Sequence, residues 1–252
     1  MGIARISGWL LAGAAGLVVA LWSYAIGNQS RAPAATAALN FPFTDTAGNS
    51  LALSALLQRQ AKDPKATANK AEYRIAERAY RDDPLSVTAL GIMGMALIGG
   101  GDLKTGHAVI EAAGQLSRRS SLVASELIKS AAYRNDEGVF FRWLSRAMLT
   151  NAEVRGTYLA AMAQATAQDR SVEMLTPILG TAPAWAEYYW PTVLERPESL
   201  VNAAKLRMAI VKKPWNQSKL LPTDPQLVVQ LADNREFETA LRLAQTLKPR
   251  GW

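Results

Sequence analysis

Residues 96–116, ALIGGGDLKTGHAVIEAAGQL, decide which fold the chain can adopt. Three consecutive glycines are followed by an aspartate and then by a Lys-Thr pair, so this stretch could form either a phosphate-binding loop or a turn between two helices. A phosphate-binding loop has the pattern G-x-x-x-x-G-K-[ST] and follows a β-strand. Here Leu103 precedes the lysine, and a helical pattern precedes the glycines. We therefore interpret residues 99–101 as the end of one helix and Asp102 as the start of the next.

A repeat of 34 residues extends from this turn in both directions. Small or apolar residues recur at this spacing in three series: Ala79, Ala113 and Ala147; Ala76, Ile110, Leu144 and Ile178; and Leu97, Ala131 and Ala165. A period of about 34 residues is typical of arrays of helix–turn–helix units. Neither helix of such a unit can bury its apolar face alone, so stacked units share one continuous core.

Two further sets with the same spacing predict how the helices begin and end. One set consists of residue types that tolerate a positive φ after a helix: Gly101, Asn135 and Asp169. The other consists of residue types that favour the N-cap of a helix: Asp83, Ser117 and Asn151.

In these residues the sequence resembles the tetratricopeptide repeat (TPR) family. When residues 101–102 are aligned with the family's turn, Gly94, Gly106 and Ala113 occupy three positions where the family has small residues, and Pro84 ends the preceding unit. The resemblance covers about residues 53–180 and 221–247. It implies an all-α fold, a TPR-like α-solenoid of antiparallel helix pairs, which we expect to be preceded by one transmembrane helix.

The predicted transmembrane helix spans residues 9–26, WLLAGAAGLVVALWSYAI, which contain no charge. A helix of about 20 apolar residues crosses the hydrocarbon core of a bilayer, and Trp9, Trp22 and Tyr24 lie where interfacial aromatic residues are expected. A cleaved signal peptide is the alternative, although its apolar region is usually shorter, about 7–15 residues, with the cleavage site close behind. Arg5 favours a cytoplasmic N-terminus, and thus a periplasmic C-terminal domain of a single-pass protein in a bacterial inner membrane.

The whole chain is accordingly divided into six parts. These are a cytoplasmic N-terminus (1–8), a transmembrane helix (9–26), a flexible linker (27–50), TPR-like repeats (51–180), an irregular aromatic and basic helical insert (181–220) and a C-terminal helical pair that caps the array (221–252).

Composition argues against most catalytic chemistry. The chain has no cysteine and one histidine, His107, which excludes thiolate and multi-histidine metal sites. No serine stands in a G-x-S-x-G context, and Glu195 and Glu198 are better interpreted as partners of a helix N-terminus than as an acid–base pair. We expect no enzymatic activity and no catalytic, metal or cofactor-binding residue. The net charge of +7 suits an acidic partner, but no nucleic-acid-binding module is recognisable.

The resemblance implies that the first helix of each unit lines a concave groove that binds a partner. By register, the groove residues are Met95, Ile98, Ser125, Lys129, Leu159 and Ala163. We expect a hydrophobic segment or helix to lie there. The alternative is that some of these side chains pack beneath the C-terminal region.

The insert is the second candidate surface. Its aromatic and basic residues are Trp185, Tyr188, Tyr189, Trp190, Lys212, Lys213 and Trp215. Aromatic residues are enriched at interfaces, but these rings could instead fill an irregular junction between units. Likewise, the lysines could bind an acidic protein, an anionic lipid or a polyanionic sugar, or they could form the solvated cap that the end of an array needs.

Together these patterns predict a membrane-anchored TPR-like scaffold or adaptor. It would mediate protein–protein interactions in an inner-membrane or envelope complex, as an accessory subunit of a secretion, polysaccharide or biogenesis assembly. Its partners would be proteins of that complex and the lipid bilayer, the latter through residues 9–26. The alternative is a binding module for an anionic polymer, namely a polysaccharide or lipid, through the basic C-terminal region.

Overall fold

The protein is described here from a computed structural model, which covers residues 3–29, 31–39, 45–63 and 65–247, with side chains from residue 16 onward except at Asp45. The described residues form fourteen α-helices and no β-strand, so the fold is all-α, as predicted. The helices are α1 (Ile3–Asn28), α2 (Pro33–Leu39), α3 (Asp45–Lys62), α4 (Lys70–Asp82), α5 (Val87–Gly99), α6 (Leu103–Leu116), α7 (Ser121–Tyr133), α8 (Glu137–Thr150), α9 (Arg155–Ala165), α10 (Ser171–Leu179), α11 (Ala186–Leu194), α12 (Leu200–Val211), α13 (Asp224–Asp233) and α14 (Phe237–Leu247). A 3-10 turn, Pro197–Ser199, precedes α12.

The chain divides into two compact units, Met1–Val123 and Ala124–Trp252. In the first unit each helix from α1 to α6 packs against the next, and α3 also packs against α5. In the second unit the helices form two rows: α8, α10, α12 and α14 pack in one row, and α9, α11 and α13 pack in the other. Such alternation is what stacked helix pairs produce.

The turn after a first helix recurs with the same hydrogen bonds. Gly101 has φ 92° and Asn135 has φ 53°, so both predictions of a positive φ are confirmed. In each turn the next residue, Asp102 or Asp136, donates its N–H to the carbonyl five residues back, at 3.0 and 2.9 Å. This is the hydrogen bond of a Schellman motif. Asp169 is not among the described residues with positive φ, so the prediction for that position is wrong.

Thr166 explains why the turn changes there. Its carbonyl accepts hydrogen bonds from the Ser171 hydroxyl at 3.0 Å and from the Asn202 amide at 3.0 Å. Asn202 also donates to the carbonyls of Ala167 and Gln168, at 3.3 and 3.1 Å. Side chains from two later helices, α10 and α12, therefore satisfy the carbonyls that a left-handed residue would otherwise satisfy locally.

Asp83, Ser117 and Asn151 are C-caps rather than the predicted N-caps. Each ends a second helix (α4, α6 or α8) in an extended conformation, and its N–H bonds to the carbonyl of Ala79, Ala113 or Ala147. The side chain of each then accepts the N–H two residues on, at 3.0, 3.2 and 2.9 Å. These residue types make such local turns as readily as N-caps, which is why composition alone misassigned them.

The flexible linker predicted for residues 27–50 is not what the described residues adopt. Helix α2 lies within it and α3 begins at Asp45. Alanine-rich residues 33–39 favour a helix, and Pro33 at its first position suits a helix start. Thr36 and Ala47 are fully buried, because α2 packs against both α1 and α3.

Both ends of the chain carry predictions that the structure describes only in part. No helix among the described residues is long and apolar enough to cross a membrane. The side chains of residues 9–15 of the predicted span lie outside the description. Residues 1–2 of the N-terminal segment and residues 248–252 of the C-terminal pair also lie outside the described residues. The described part of that pair, α13 and α14, packs together.

Candidate functional site

The loop between α12 and α13, residues 212–223, is the most strongly basic exposed loop among the described residues of the second unit. We call it the Trp215 loop. Its sequence, KKPWNQSKLLPT, contains three lysines and no acidic residue.

A buried ion pair holds the loop at its base. Arg207 in α12 and Asp224 at the start of α13 are 0% and 2% exposed, and two parallel hydrogen bonds of 2.8 Å join them. Arg207 also donates to the carbonyls of Gln217 and Lys219, at 2.8 and 2.7 Å. A planar guanidinium can make such bidentate and lateral contacts together. One buried side chain therefore ties the loop to both of its flanking helices.

The middle of the loop is attached to the end of α10. The Gln217 side-chain amide donates to the carbonyls of Leu179 and Gly180, at 2.8 and 2.7 Å. Trp215 lies so close to Gly180 that a Cβ there would be 2.6 Å from the indole Cε2. Only glycine permits this approach.

This framework leaves the cationic side chains outside. Lys212, Lys213 and Lys219 are exposed and Trp215 is half-buried. The one acidic neighbour named above, Asp224, is already paired with Arg207. A fixed loop with three free-standing ammonium groups and an aromatic edge can bind anionic groups electrostatically.

Most of the aromatic rings of the insert belong to the core. Trp185, Tyr189 and Trp190 are buried, and successive rings meet edge to face at centroid distances of 6.4 and 5.2 Å. The Trp185 indole donates to Ser145 at 3.2 Å, and the Tyr189 hydroxyl bonds to Thr166 at 2.7 Å. The structure therefore favours the junction-filling alternative for these three rings.

Tyr189 and Tyr188 are in opposite environments. Burial raises the pKa of Tyr189 well above its ordinary value of 10.0, and the hydrogen bond with Thr166 offsets only part of that shift. Tyr188 is exposed, and the Arg155 guanidinium carbon lies 5.7 Å from its ring centroid. Of the five aromatic rings of the insert, Tyr188 is exposed and Trp215 is half-buried, so a partner can reach these two.

The predicted groove residues differ in accessibility. Met95, Leu159 and Ala163 are buried. Ile98 and Ser125 are half-buried, and Lys129 is exposed with its ammonium 2.7 Å from Glu126. The groove remains a prediction, and a partner would reach it through the last three residues.

The opening stretch forms a turn, as predicted, but it also borders a cleft of about 720 Å³ in the first unit. The cleft lies between the α3–α4 loop and the α5–α6 turn, with lining residues that include Arg59, Asp63, Lys65, Lys70 and Asp102.

The N–H groups of Gly100, Gly101 and Asp102 all bond to carbonyls at the end of α5. They are thus unable to surround a phosphate, which a phosphate-binding loop does with its backbone N–H groups.

Sequence reasoning missed the residues that build the Trp215 loop. Arg207, Gln217 and Asp224 are single polar residues without a motif, and their hydrogen bonds connect positions 10 to 38 residues apart. The lack of any acidic residue in the loop was the only local signal.

The described residues define an all-α protein whose helices pack against their neighbours and which carries a basic loop fixed by a buried ion pair. The chain matches no protein-family model, no curated protein and no solved structure.

Proposed function

We propose that the protein is a TPR-like scaffold, anchored in a bacterial inner membrane through residues 9–26, that binds other envelope proteins through its helix pairs. The observation that carries the proposal is the recurrence of one turn at Gly101 and Asn135 together with the two rows of helices in the second unit. Stacked repeats present extended surfaces to partners. The helical domain would lie in the periplasm and the N-terminus in the cytoplasm.

Helix α1 supports the membrane part of the proposal. In the part of α1 whose side chains are described, several large apolar residues are exposed, namely Leu17, Val18, Val19, Leu21 and Ile26, while Ala25 is fully buried. Exposed apolar side chains favour an apolar environment, and a bilayer would supply one.

Membrane fractionation tests the anchor. The full-length chain should stay in membranes after an alkaline wash, and Val18→Lys with Leu21→Lys should release it, since a charge in the bilayer core costs about 2.5–3.5 kcal/mol. The matched control places two lysines at the exposed positions Ala112 and Gln115 of α6. Equal retention of both double variants would contradict anchoring by α1.

Site-specific crosslinking tests the scaffold part. A photo-crosslinking residue at Ile98, Ser125 or Lys129 should yield a defined protein adduct in intact cells. The same group at exposed Leu149 on α8 should not. Adducts that are equally strong at Leu149, or absent at all three positions, would count against the groove as a binding surface.

A second function, the binding of an anionic polysaccharide or lipid, is favoured specifically by the Trp215 loop. Lys212→Glu with Lys213→Glu should abolish binding to dextran sulfate or to phosphatidylglycerol vesicles, and salt should weaken wild-type binding steeply. The matched control is Lys104→Glu with Arg118→Glu, which changes the charge equally at exposed positions of the first unit. Equal loss in both variants would indicate a response to net charge rather than a site.

A further inference from the structure

The last helix pair leaves an apolar face in solvent. Val229 on α13 and Phe237 and Leu241 on α14 are 57%, 65% and 59% exposed. Phe237, Leu241 and Ala244 follow one another at intervals of four and three residues, so they form a stripe along one side of α14. We call Val229 and this stripe the terminal face.

The turn before α14 places the terminal face in register with earlier pairs. Arg235 has φ 65°, and Glu236 donates its N–H to Leu231, five residues back, at 2.9 Å. Asp102 and Asp136 make this same bond in their turns. Val229 lies seven residues before Glu236, as Met95 lies seven residues before Asp102. Leu241 lies five residues after Glu236, as Phe141 lies five residues after Asp136.

These apolar counterparts are buried. Met95 is 2% exposed in the first unit and Phe141 is 5% exposed in the second. In the other unit, the same two register positions hold Lys129, which is exposed, and His107, which is half-buried. Where these positions hold large apolar residues elsewhere in the chain, they are therefore buried, whereas Val229 and Leu241 are exposed.

Later helices pack against earlier helices of the same row elsewhere in the chain. In the second unit α9 packs against α11, and α11 packs against α13. Among the described residues no helix follows α14.

We propose that a second copy of this chain covers the terminal face, so that two α14 helices pack antiparallel about a two-fold axis near Leu241. The exposed charges of α14 are self-complementary in this arrangement: Glu238 and Arg242, which pair with each other at 3.5 Å within α14, flank the stripe on one side, at 83% and 62% side-chain exposure. Two-fold symmetry brings Glu238 of each copy beside Arg242 of the other, and Phe237 against the small Ala244 of the other copy. An isologous contact of this kind closes at two subunits.

The absence of cysteine in the chain permits a clean crosslinking test. In the full-length protein in detergent, Leu241→Cys should form a disulfide-linked dimer on mild oxidation. Two residues near the axis of helices about 8–10 Å apart have Cα atoms within disulfide range. Leu149→Cys, which replaces a 52% exposed leucine of α8, is the matched control. If the Leu241→Cys variant forms no more disulfide-linked dimer than the Leu149→Cys variant, the proposal is overturned.

Charge reversal tests the arrangement by sedimentation of the full-length protein in the same detergent. Glu238→Arg or Arg242→Glu should raise the dimer dissociation constant by about tenfold or more, because each reversal creates two like-charge contacts. The double reversal should restore dimers, and Leu241→Glu should abolish them while circular dichroism shows unchanged helix content. A dimer that survives Leu241→Glu would arise from another surface, such as α1, and would refute the proposal. A monomeric wild type, or a different protein bound to the terminal face, would also refute it.

Discussion

At the scale of the residue, the three glycines at positions 99–101 have different tasks. Gly101 adopts φ 92°, a conformation that costs a side chain about 1–2 kcal/mol. A Cβ on Gly99 would collide with Thr67. Gly100 has φ −82°, which any residue adopts.

The first prediction separates Gly101 from Gly100. Gly101→Ala should lower the free energy of unfolding by about 1–2 kcal/mol, because of its positive φ. Gly100→Ala is the adjacent control and should change it by less than about 0.5 kcal/mol. Urea unfolding followed by circular dichroism measures both values, and equal losses in the two variants would show that backbone conformation is not the cause.

The second prediction concerns Tyr189 and pH. Because the folded-state pKa is raised above the ordinary 10.0, the folded state retains its proton where the unfolded state loses it. Stability is thus intact below about pH 10 and falls above it, by at most about 1.4 kcal/mol per pH unit. Tyr189→Phe should flatten this alkaline decline in urea midpoints measured between about pH 8 and 11.5.

Tyr188→Phe is the control for that experiment, because Tyr188 is exposed. Its alkaline decline should match that of the wild type. Tyr189→Phe should also cost about 0.5–1.5 kcal/mol at neutral pH, for the lost hydrogen bond with Thr166. An unchanged alkaline slope in Tyr189→Phe would mean that another group titrates.

At the scale of the element, close approach of helix backbones depends on position. A Cβ on Gly94 of α5 would lie 2.6 Å from Ile110 Cγ1, and one on Gly106 of α6 would lie 2.9 Å from the Gly94 carbonyl. The resemblance to the TPR family placed small residues at both positions, and the structure gives them this physical reason.

The third prediction tests this helix contact. Gly94→Ala should destabilise the protein by about 1–3 kcal/mol, because the added methyl overpacks the α5–α6 seam. Gly156→Ala in α9 is the control, since its Cβ would meet nothing within 4 Å, and it should be neutral or stabilising because alanine favours a helix more than glycine does. Thermal and urea unfolding provide the comparison, and a harmless Gly94→Ala would mean that the seam can open.

The fourth prediction concerns the pair that joins α12 to α13. Arg207→Met alone should cost about 3–5 kcal/mol, because it leaves a buried carboxylate without its partner. The double variant Arg207→Met with Asp224→Leu should recover part of this loss. The exposed pair Arg81 and Glu77, at 3.1 Å, is the control, and its removal should cost less than about 1 kcal/mol.

A double-mutant cycle by urea unfolding measures the coupling between Arg207 and Asp224. The Arg207→Met variant should also show altered Trp215 fluorescence, because two carbonyls of the Trp215 loop lose their donor. A cost similar to that of the exposed pair would indicate that the ion pair does not hold the loop.

At the scale of the whole molecule, stability should be distributed between the two compact units. Ile110 in the first unit and Leu243 in the second are both fully buried. Repeat proteins unfold according to the stability of neighbouring units rather than as one uniform core.

The fifth prediction follows from this division. Ile110→Ala should cost about 2–5 kcal/mol and should raise amide hydrogen exchange mainly within residues 1–123. Leu243→Ala is the reciprocal variant and should act mainly within residues 124–252. Exchange that rises equally in both units for both variants would mean that the chain unfolds as a single cooperative body.

The sequence predicted the all-α class, the α5–α6 corner and the left-handed residues at Gly101 and Asn135. These features depend on interactions within five or six residues, which a spacing pattern records. The same pattern named Asp83, Ser117 and Asn151 correctly as helix boundaries but assigned them to the wrong end, because their side chains can accept an N–H at either end. The repeat register could predict which residues form the candidate groove. It could not predict that Met95, Leu159 and Ala163 are buried.

By itself, therefore, the amino-acid sequence determined where helices turn and how often, because helix ends depend on local backbone bonds and local side-chain caps. Tertiary structure alone decided that Trp185 and Tyr189 lie in the core, that Arg207 is a buried clamp on a basic loop, and that Leu241 lies in solvent. Burial depends on what packs against a side chain, and for these residues the contacts come from helices 17 to 40 positions away or, for Leu241, are missing among the described helices.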